Sequence, residues 1–293
     1  MKNLSVENVY TRAAAKELTK KHLGKLLGMT AVAFGIPYAM MLAVTTLLTP
    51  LAETQPTLYL ILDLVLTLAV TLATCGLTLG LLAALVNLCR GNENLSVGMV
   101  FSHMGCTLKA FGLSLWTGLK TFLWMLPGFA VMMAGVIVSA GTSSPEDSAG
   151  VMTLLMFCGI ILMLALVIPA AYRYMMSTYI LADKPETGVF QSVRESKAMM
   201  KGHKWQCFKL IIPIVLVMYV IMLVIGVAMG AAMSLLATTP AAMTVLGIVM
   251  MIVMLIVMLY YMIRMYLCYA IFYVKRVEEQ NPAGETADAA YAE

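Results

Sequence analysis

Long apolar runs alternate with short polar segments along the whole 293-residue chain. Six of the runs have about 20 residues or more, the length at which a helix spans a hydrocarbon core of roughly 30 Å. Backbone groups in lipid have to be hydrogen-bonded within their own segment, so helices are expected and strands are not. The pattern therefore predicts an all-α, polytopic membrane bundle of six transmembrane helices. The predicted spans are residues 26–48, 57–88, 110–140, 149–181, 208–237 and 241–273.

The segments outside the spans predict three regions. Residues 1–25 form a cytoplasmic region whose residues 5–22 fit an amphipathic helix in the headgroup layer, residues 26–276 form the membrane domain, and residues 277–293 form a disordered acidic tail. The apolar face of the amphipathic helix is Val6, Val9, Tyr10, Ala13, Ala14 and Leu18, and its polar side carries Arg12, Lys16, Lys20 and Lys21.

Two polar connections, residues 90–109 and 183–204, each contain the signals of a further amphipathic helix. The first is expected to begin near Ser96, and the second has Thr187 as its expected cap. Because the order of span, polar turn, amphipathic helix and span occurs twice, the pattern suggests a tandem internal repeat.

Composition and charge indicate a membrane protein and predict on which side of the membrane its termini lie. It is 61% hydrophobic and 12% charged, whereas a soluble domain carries roughly 25% charged residues. The predicted outer loops, residues 49–56, 141–148 and 238–240, contain no Lys or Arg, so we expect both termini in the cytoplasm of a multi-pass cell-membrane protein. The six cysteines lie outside these loops, and no disulfide framework is expected.

Proline and glycine punctuate the spans. Kinks are expected at Pro37, Pro127, Pro169 and Pro213, with a helix break at Pro127–Gly128. The motifs Gly76-x-x-x-Gly80 and Gly226-x-x-x-Gly230 predict close helix packing, which we expect within the chain rather than between chains.

One stretch, from the Tyr-rich end of the fourth span to the start of the fifth, resembles a known family. It carries a Leu-Ala-Asp-x-Pro turn with Asp183 and Pro185, followed by a Ser-x-x-Met-Met-x-Gly-His-x-Trp element. That element resembles the bacterial membrane family catalogued as domain of unknown function 975. The resemblance implies six spans and carries no established activity. Its residues here are Ser196, Met199, Met200, Gly202, His203 and Trp205.

Three cations lie well inside predicted spans, away from the first residues of the helix. Lys120, Arg173 and Arg264 are each about 30 Å from the outer end of their helix, which is the cytoplasmic boundary of the hydrocarbon. One interpretation is three side chains that snorkel to the interface. The other is a basic collar that binds an anionic headgroup, with Tyr172 and Tyr174 completing a polar pocket.

Other polar residues suggest weaker possibilities. Asp63 is the acid within a span, and it fits either the coupling of a proton or cation to transport or a wet interfacial position. The pairs His103/Cys106 and His203/Cys207 have the composition of a Cys₂His₂ zinc set, although an interfacial anchoring role for His203 is favoured and no metal site is predicted.

The sequence contains no hydrolase, nucleotide-binding or metalloprotease motif and no acid pair in a span. We therefore expect a non-enzymatic protein without a cofactor that binds membrane lipids, anionic ones among them, or another membrane protein, in an accessory or regulatory role. The alternative is a small secondary transporter. Nucleic-acid binding is not expected, because the basic residues lie beside the membrane without interleaved aromatic residues.

Overall fold

The protein is described by a computed structural model, which covers residues 4–141, 145–235 and 240–280. Within these ranges the chain is helical and contains no strand, and six stretches are long and apolar enough to cross a membrane. The six predicted spans are confirmed. The helices are α1 (Leu4–Lys21), α2 (Leu23–Thr30), α3 (Ile36–Thr54), α4 (Pro56–Cys89), α5 (Thr107–Gly141), α6 (Pro145–Tyr174), α7 (Met176–Asp183), α8 (Val189–Met199), α9 (Lys204–Leu235) and α10 (Pro240–Gln280).

The chain divides into two compact units. The terminal unit contains Met1–Leu108 and Trp205–Glu293, and the central unit contains Lys109–Lys204.

The first span of the terminal unit is built from α2, a π-helical turn at Ala31–Gly35 and α3. Pro37 has no N–H, so the carbonyl of Ala33 lacks its regular helical donor. The wide turn precedes this point, and the N–H of Ile36 bonds to the carbonyl of Ala31, five residues back. The π-helical turn thus accommodates Pro37, where a kink is expected, and the chain stays helical on both sides of it.

The core of the terminal unit lies at one end of its helices. In α4 the buried residues begin at Gly76, and in α10 burial is concentrated from Ile263 onward. The opposite halves of both helices expose large apolar side chains, such as Leu64 and Met251. These surfaces have the character of lipid-facing surfaces, because an apolar face of this size is not stable in water.

The two Gly-x-x-x-Gly motifs of the terminal unit differ in their surroundings. Gly76 and Gly80 lie against Thr107 and the carbonyl of Val100, so that a methyl group at either glycine would overlap the neighbouring chain. Packing within the chain is therefore confirmed for this motif. The same prediction is wrong for Gly226 and Gly230, because nothing in the described part of the chain lies within 4 Å of a methyl group at either position.

In the central unit, α5 and α6 cross at their glycines. A methyl group at Gly128 would lie 2.8 Å from the carbonyl oxygen of Gly159, and a methyl group at Gly135 would lie 2.9 Å from the side chain of Leu155. The predicted break at Pro127–Gly128 is wrong, because α5 continues through both residues. Close approach to α6, which requires glycine, explains Gly128 better than a hinge does.

The two polar connections adopt different structures. The first forms short 3₁₀ turns at Val97–Phe101 and Met104–Cys106 instead of the expected amphipathic helix, with the Ser96 hydroxyl accepting the Gly98 N–H at 3.3 Å. The second contains the expected helix, α8. Its cap is Gly188 and not Thr187, whose N–H bonds to the carbonyl of Lys184 in the preceding turn. The suggested repeat is therefore not reproduced in these two connections.

Helices extend into several segments that the sequence predicts to be non-helical. Residues 5–21 of the predicted N-terminal amphipathic helix are helical and belong to α1, whereas α10 extends to Gln280 and so includes the first four residues of the predicted disordered tail. Of the predicted outer loop at 49–56, only Gln55 is non-helical. The remainder of the tail, residues 281–293, lies outside the described residues, as do residues 142–144 of the second predicted outer loop and residues 238–239 of the third.

Candidate functional site

Two of the predicted cations form a cluster with aromatic rings in the central unit. The spacing of four residues places Trp116, Lys120 and Trp124 on one face of α5. The Lys120 ammonium lies 4.7 Å from the centroid of the Trp116 ring and 5.5 Å from that of Tyr174, and the Arg173 guanidinium lies 5.8 Å from the centroid of Trp124. These distances are within the range of cation–π attraction. We refer to these five residues as the cation–aromatic cluster.

The cluster is electrically uncompensated. Among the described residues, neither Lys120 nor Arg173 forms an ion pair with a carboxylate. Both side chains are half-buried. An aromatic face attracts a cation but carries no net charge, so the cluster remains able to bind an anion.

The position of Arg173 is fixed by the second connection. The Ser196 hydroxyl, fully buried on α8, donates to the backbone carbonyl of Arg173 at 3.0 Å. The Lys109 ammonium donates to the carbonyl of Pro185 at 2.9 Å and holds the turn before α8. Tyr172, beside Arg173, is half-buried, and Tyr174 is the phenol in contact with Lys120.

The other residues of the family-like element lie in the second connection and at the start of α9, which follows it. Met199 and Met200 are buried, and Gly202 has a φ of +84°, a left-handed conformation that glycine adopts without strain. Trp205 is 64% exposed, and its ring stacks on Phe208 with the centroids 5.1 Å apart. Asp183, the last residue of α7, and His203, beside the glycine turn, are both half-buried.

The third predicted cation, Arg264, belongs to α10 in the terminal unit and not to the central unit. Its guanidinium lies 5.9 Å from the ring centroid of Tyr260 and 5.8 Å from that of Tyr261. Its Nε atom is buried and has no hydrogen-bond partner among the described residues. The structure thus brings Lys120 and Arg173 together, whereas Arg264 has surroundings of its own.

Those surroundings include a cavity of about 280 Å³ between α1, α9 and α10. Its polar lining is Arg12 and Lys16 from α1 and Tyr261 and Arg264 from α10. Its apolar lining comes from α1 and α9 and includes Val217. We refer to it as the α1 cavity.

Hydrogen bonds hold α1 in place beside the cavity. The Asn8 amide donates to the backbone carbonyl of Gln206 at 3.2 Å, and the Gln206 amide donates to the Glu7 carboxylate at 3.1 Å. The Gln206 side-chain oxygen accepts from Arg276 of α10 at 2.7 Å. At the other end of α1, Lys21 pairs with Glu93.

Sequence reasoning missed Arg12 and Lys16 as cavity residues and Gln206 as the link between three helices. The predicted polar side of α1 includes both cations, but the protein packs against Asn8, Thr11, Ala15 and Thr19 of this helix. That stripe of small side chains at spacings of three and four is a packing signal visible in the sequence.

Asp63 and the possible zinc ligands are the remaining candidates from the sequence. Asp63 is half-buried on α4 and forms no ion pair or hydrogen bond with any described residue. The four-ligand zinc alternative is not supported, because no group of three or more His, Cys, Asp or Glu side chains in the described ranges is arranged to hold a metal ion.

A comparison with family models identifies the chain's relatives. The model described as "Protein of unknown function (DUF975)" matches residues 8–229, which is more than half of the chain. The chain belongs to this family. The matched part of the DUF975 chain includes the cation–aromatic cluster, the second connection, and Arg12 and Lys16, whereas Tyr261 and Arg264 lie beyond it. No curated protein matches the chain. No solved structure matches it either.

Proposed function

We propose that this DUF975 protein is a non-enzymatic membrane protein that binds anionic lipids at the helix ends predicted to face the cytoplasm, and that it acts as an accessory to other membrane proteins. The cation–aromatic cluster supports this function, because its two cations have no carboxylate partner in the described chain.

The aromatic members of the cluster favour a position in the headgroup layer. Tryptophan and tyrosine are enriched at membrane interfaces, where a ring contacts acyl chains and its polar edge reaches water. Trp124 is 39% exposed, and the neighbouring Leu123 is 56% exposed. A cation held between such rings lies at the depth of lipid phosphates, where each basic residue contributes about 1 kcal/mol of attraction to an anionic surface.

The competing interpretation is that both cations only snorkel, which predicts no preference among headgroups. The test is native mass spectrometry of the purified protein equilibrated with equal amounts of phosphatidylglycerol and phosphatidylcholine. Wild type should retain phosphatidylglycerol preferentially, and Lys120→Gln combined with Arg173→Gln should reduce that preference about 30-fold, because two residues that each contribute about 1 kcal/mol are lost.

A matched control removes the same charge elsewhere in the central unit. Lys184 and Lys201 are exposed and lie outside the cluster, so Lys184→Gln combined with Lys201→Gln should leave the preference unchanged. Equal retention of the two lipids by wild type, or an equal effect of the two double variants, would contradict the proposal.

Cation- or proton-coupled transport is the second candidate function, and the unpaired, half-buried Asp63 favours it. An acid in a membrane span without a protein partner is a suitable site for a coupling ion. Asp63→Asn should then abolish flux driven by a proton or sodium gradient in proteoliposomes, while Glu53→Gln, at the exposed end of α3, should not. Flux that survives Asp63→Asn would exclude this role for Asp63.

A further inference from the structure

We infer that the α1 cavity binds one anionic glycerophospholipid, with the phosphate between Arg12, Lys16 and Arg264 and an acyl chain along α9. The inference rests on the proposed function and extends it to a specific site in the terminal unit. This site shares no residue with the cation–aromatic cluster.

Charge is the first argument. Three cations line the cavity, and none of its lining residues is acidic. Three like charges around one small space repel one another, and a phosphate between them relieves that repulsion while accepting hydrogen bonds from each. Basic pockets between membrane helices are known to bind lipid headgroups in this way.

The hydrogen-bonding capacity of the two arginines is the second argument. The Arg12 guanidinium donates one hydrogen bond, to the carbonyl of Lys209 at 3.4 Å. The buried Nε of Arg264 has no partner among the described residues. A buried N–H without an acceptor is destabilising, and a phosphate oxygen in the cavity would supply the acceptor. The Tyr261 hydroxyl, one turn before Arg264, provides a further donor.

The size of the cavity is the third argument. Pockets for small molecules typically occupy roughly 300–1,000 Å³, so a cavity of about 280 Å³ accommodates a phosphate headgroup but not a whole lipid. The acyl chains of the ligand therefore have to leave the cavity along an apolar surface.

Such a surface begins at the cavity wall. Val217 lines the cavity, is 50% exposed, and shares one face of α9 with Val220, Val224 and Val227, which are also exposed. This valine track is about 15 Å long at 1.5 Å per residue. Its length matches one leaflet, which is half of a hydrocarbon core of about 30 Å.

The uncovered face of α1 is consistent with this arrangement. Val9 is 55% exposed and Tyr10 is 67% exposed, whereas the opposite face is packed on protein. An amphipathic helix with an uncovered apolar face lies in the headgroup layer. That position brings Arg12 and Lys16 to the depth of lipid phosphates.

The experiment uses the full-length protein in mild detergent, with phosphatidylglycerol and phosphatidylcholine as probes and native mass spectrometry as the readout. Arg12→Gln, Lys16→Gln and Arg264→Gln should each weaken retention of one phosphatidylglycerol per chain about tenfold. Lys20→Gln is the matched control, because Lys20 is exposed on α1 and does not line the cavity. Lys16 is itself exposed, so the Lys16→Gln variant should fold normally. It keeps the test valid if the Arg264→Gln variant does not fold.

Three results would overturn the inference. In the first, the cavity variants retain phosphatidylglycerol as the wild type does. In the second, Lys20→Gln has the same effect as Lys16→Gln. In the third, the deacylated headgroup glycerophosphoglycerol or inorganic phosphate displaces the lipid at equal concentration, which would assign the cavity to a soluble phosphate compound.

The failure of this inference is distinguishable from that of the proposed function. If wild type prefers phosphatidylglycerol and only the Lys120/Arg173 double variant loses the preference, the proposed function stands and the cavity assignment is wrong. If wild type shows no headgroup preference at all, both are wrong.

Discussion

The guanidinium of Arg12 donates to the backbone carbonyl of Lys209 at 3.4 Å, and Pro213 makes this carbonyl available. In a regular helix the carbonyl of residue 209 accepts the N–H of residue 213, but proline has no N–H. A side chain from α1 takes the place of the missing donor, which ties the kink expected at Pro213 to the placement of the N-terminal helix. Neighbouring helices commonly satisfy carbonyls freed by proline in membrane proteins.

This relationship predicts energetic coupling between Arg12 and Pro213. Pro213→Ala restores the helical donor, so Arg12→Gln should cost less stability in the Pro213→Ala background than in wild type. The distance of 3.4 Å is long for a hydrogen bond, so we expect a coupling energy of about 0.5–1 kcal/mol. A double-mutant cycle based on thermal unfolding in detergent measures it, and strictly additive effects would contradict the coupling.

Gln206 is predicted to be the side chain on which the position of α1 most depends. It is 6% exposed and bonds to Glu7 on one side and to Arg276 on the other. Gln206→Leu removes both bonds and leaves the buried Arg276 with Glu279 as its remaining ion-pair partner in the described chain, so stability should fall by about 1–3 kcal/mol. Gln191→Leu, on the exposed surface of α8, is the control and should change stability by less than about 0.5 kcal/mol.

Hydrogen–deuterium exchange provides a second measurement for Gln206. Amides of α1 should exchange faster in Gln206→Leu, while those of α5 and α6, which belong to the central unit, should not change. Uniformly faster exchange would indicate a general loss of stability instead of a local release of α1.

The sequence predicts the helices well because each span satisfies its backbone hydrogen bonds locally, and an apolar run of sufficient length is a local signal. It predicts the irregularities poorly. Pro127 and Pro37 look alike in the sequence, but α5 continues through Pro127 whereas a π-helical turn precedes Pro37. The difference depends on what packs beside each helix, and no local pattern records it.

The residues of the candidate site could likewise be predicted from the sequence only where a local pattern identifies them. Lys120 and Arg173 are identifiable because each is a cation inside an apolar run. Arg12 and Gln206 are not, because Arg12 lies on a helix with several cations and its carbonyl partner is 197 residues away in the chain. The packed face of α1 can be recognised in the sequence only by the spacing of its small and polar residues, because a hydrophobicity pattern selects Val9 and Tyr10, which remain exposed.

The Lys21–Glu93 pair predicts a pH dependence in the anchoring of α1. The hydrogen bond and the positive charge from Lys21 lower the pKa of Glu93 below its ordinary value of 4.5. A lowered folded-state pKa means that the stabilisation is present above the ordinary value and is lost as the pH falls through the folded value. Protection of the last turn of α1 from hydrogen exchange should therefore decrease in wild type as the pH falls below the ordinary value of 4.5 and through the lowered folded-state value. Glu93→Gln should be less protected at neutral pH and should lack this pH dependence, whereas an unchanged pH profile would exclude the pair as its cause.

Gly80 and Gly230 occupy corresponding positions in two identical motifs, and the structure predicts opposite outcomes for the same substitution. A methyl group at Gly80 overlaps the backbone carbonyl of Val100, and backbone cannot move aside as a flexible side chain can, so Gly80→Ala should cost about 1–3 kcal/mol. A methyl group at Gly230 meets open space within α9, where alanine is favoured over glycine by about 1 kcal/mol, so Gly230→Ala should be neutral or stabilising. Thermal unfolding of both variants in the same detergent measures these changes in stability. A destabilised Gly230→Ala would show that this face of α9 is covered by a second chain or another protein in the detergent-solubilised state.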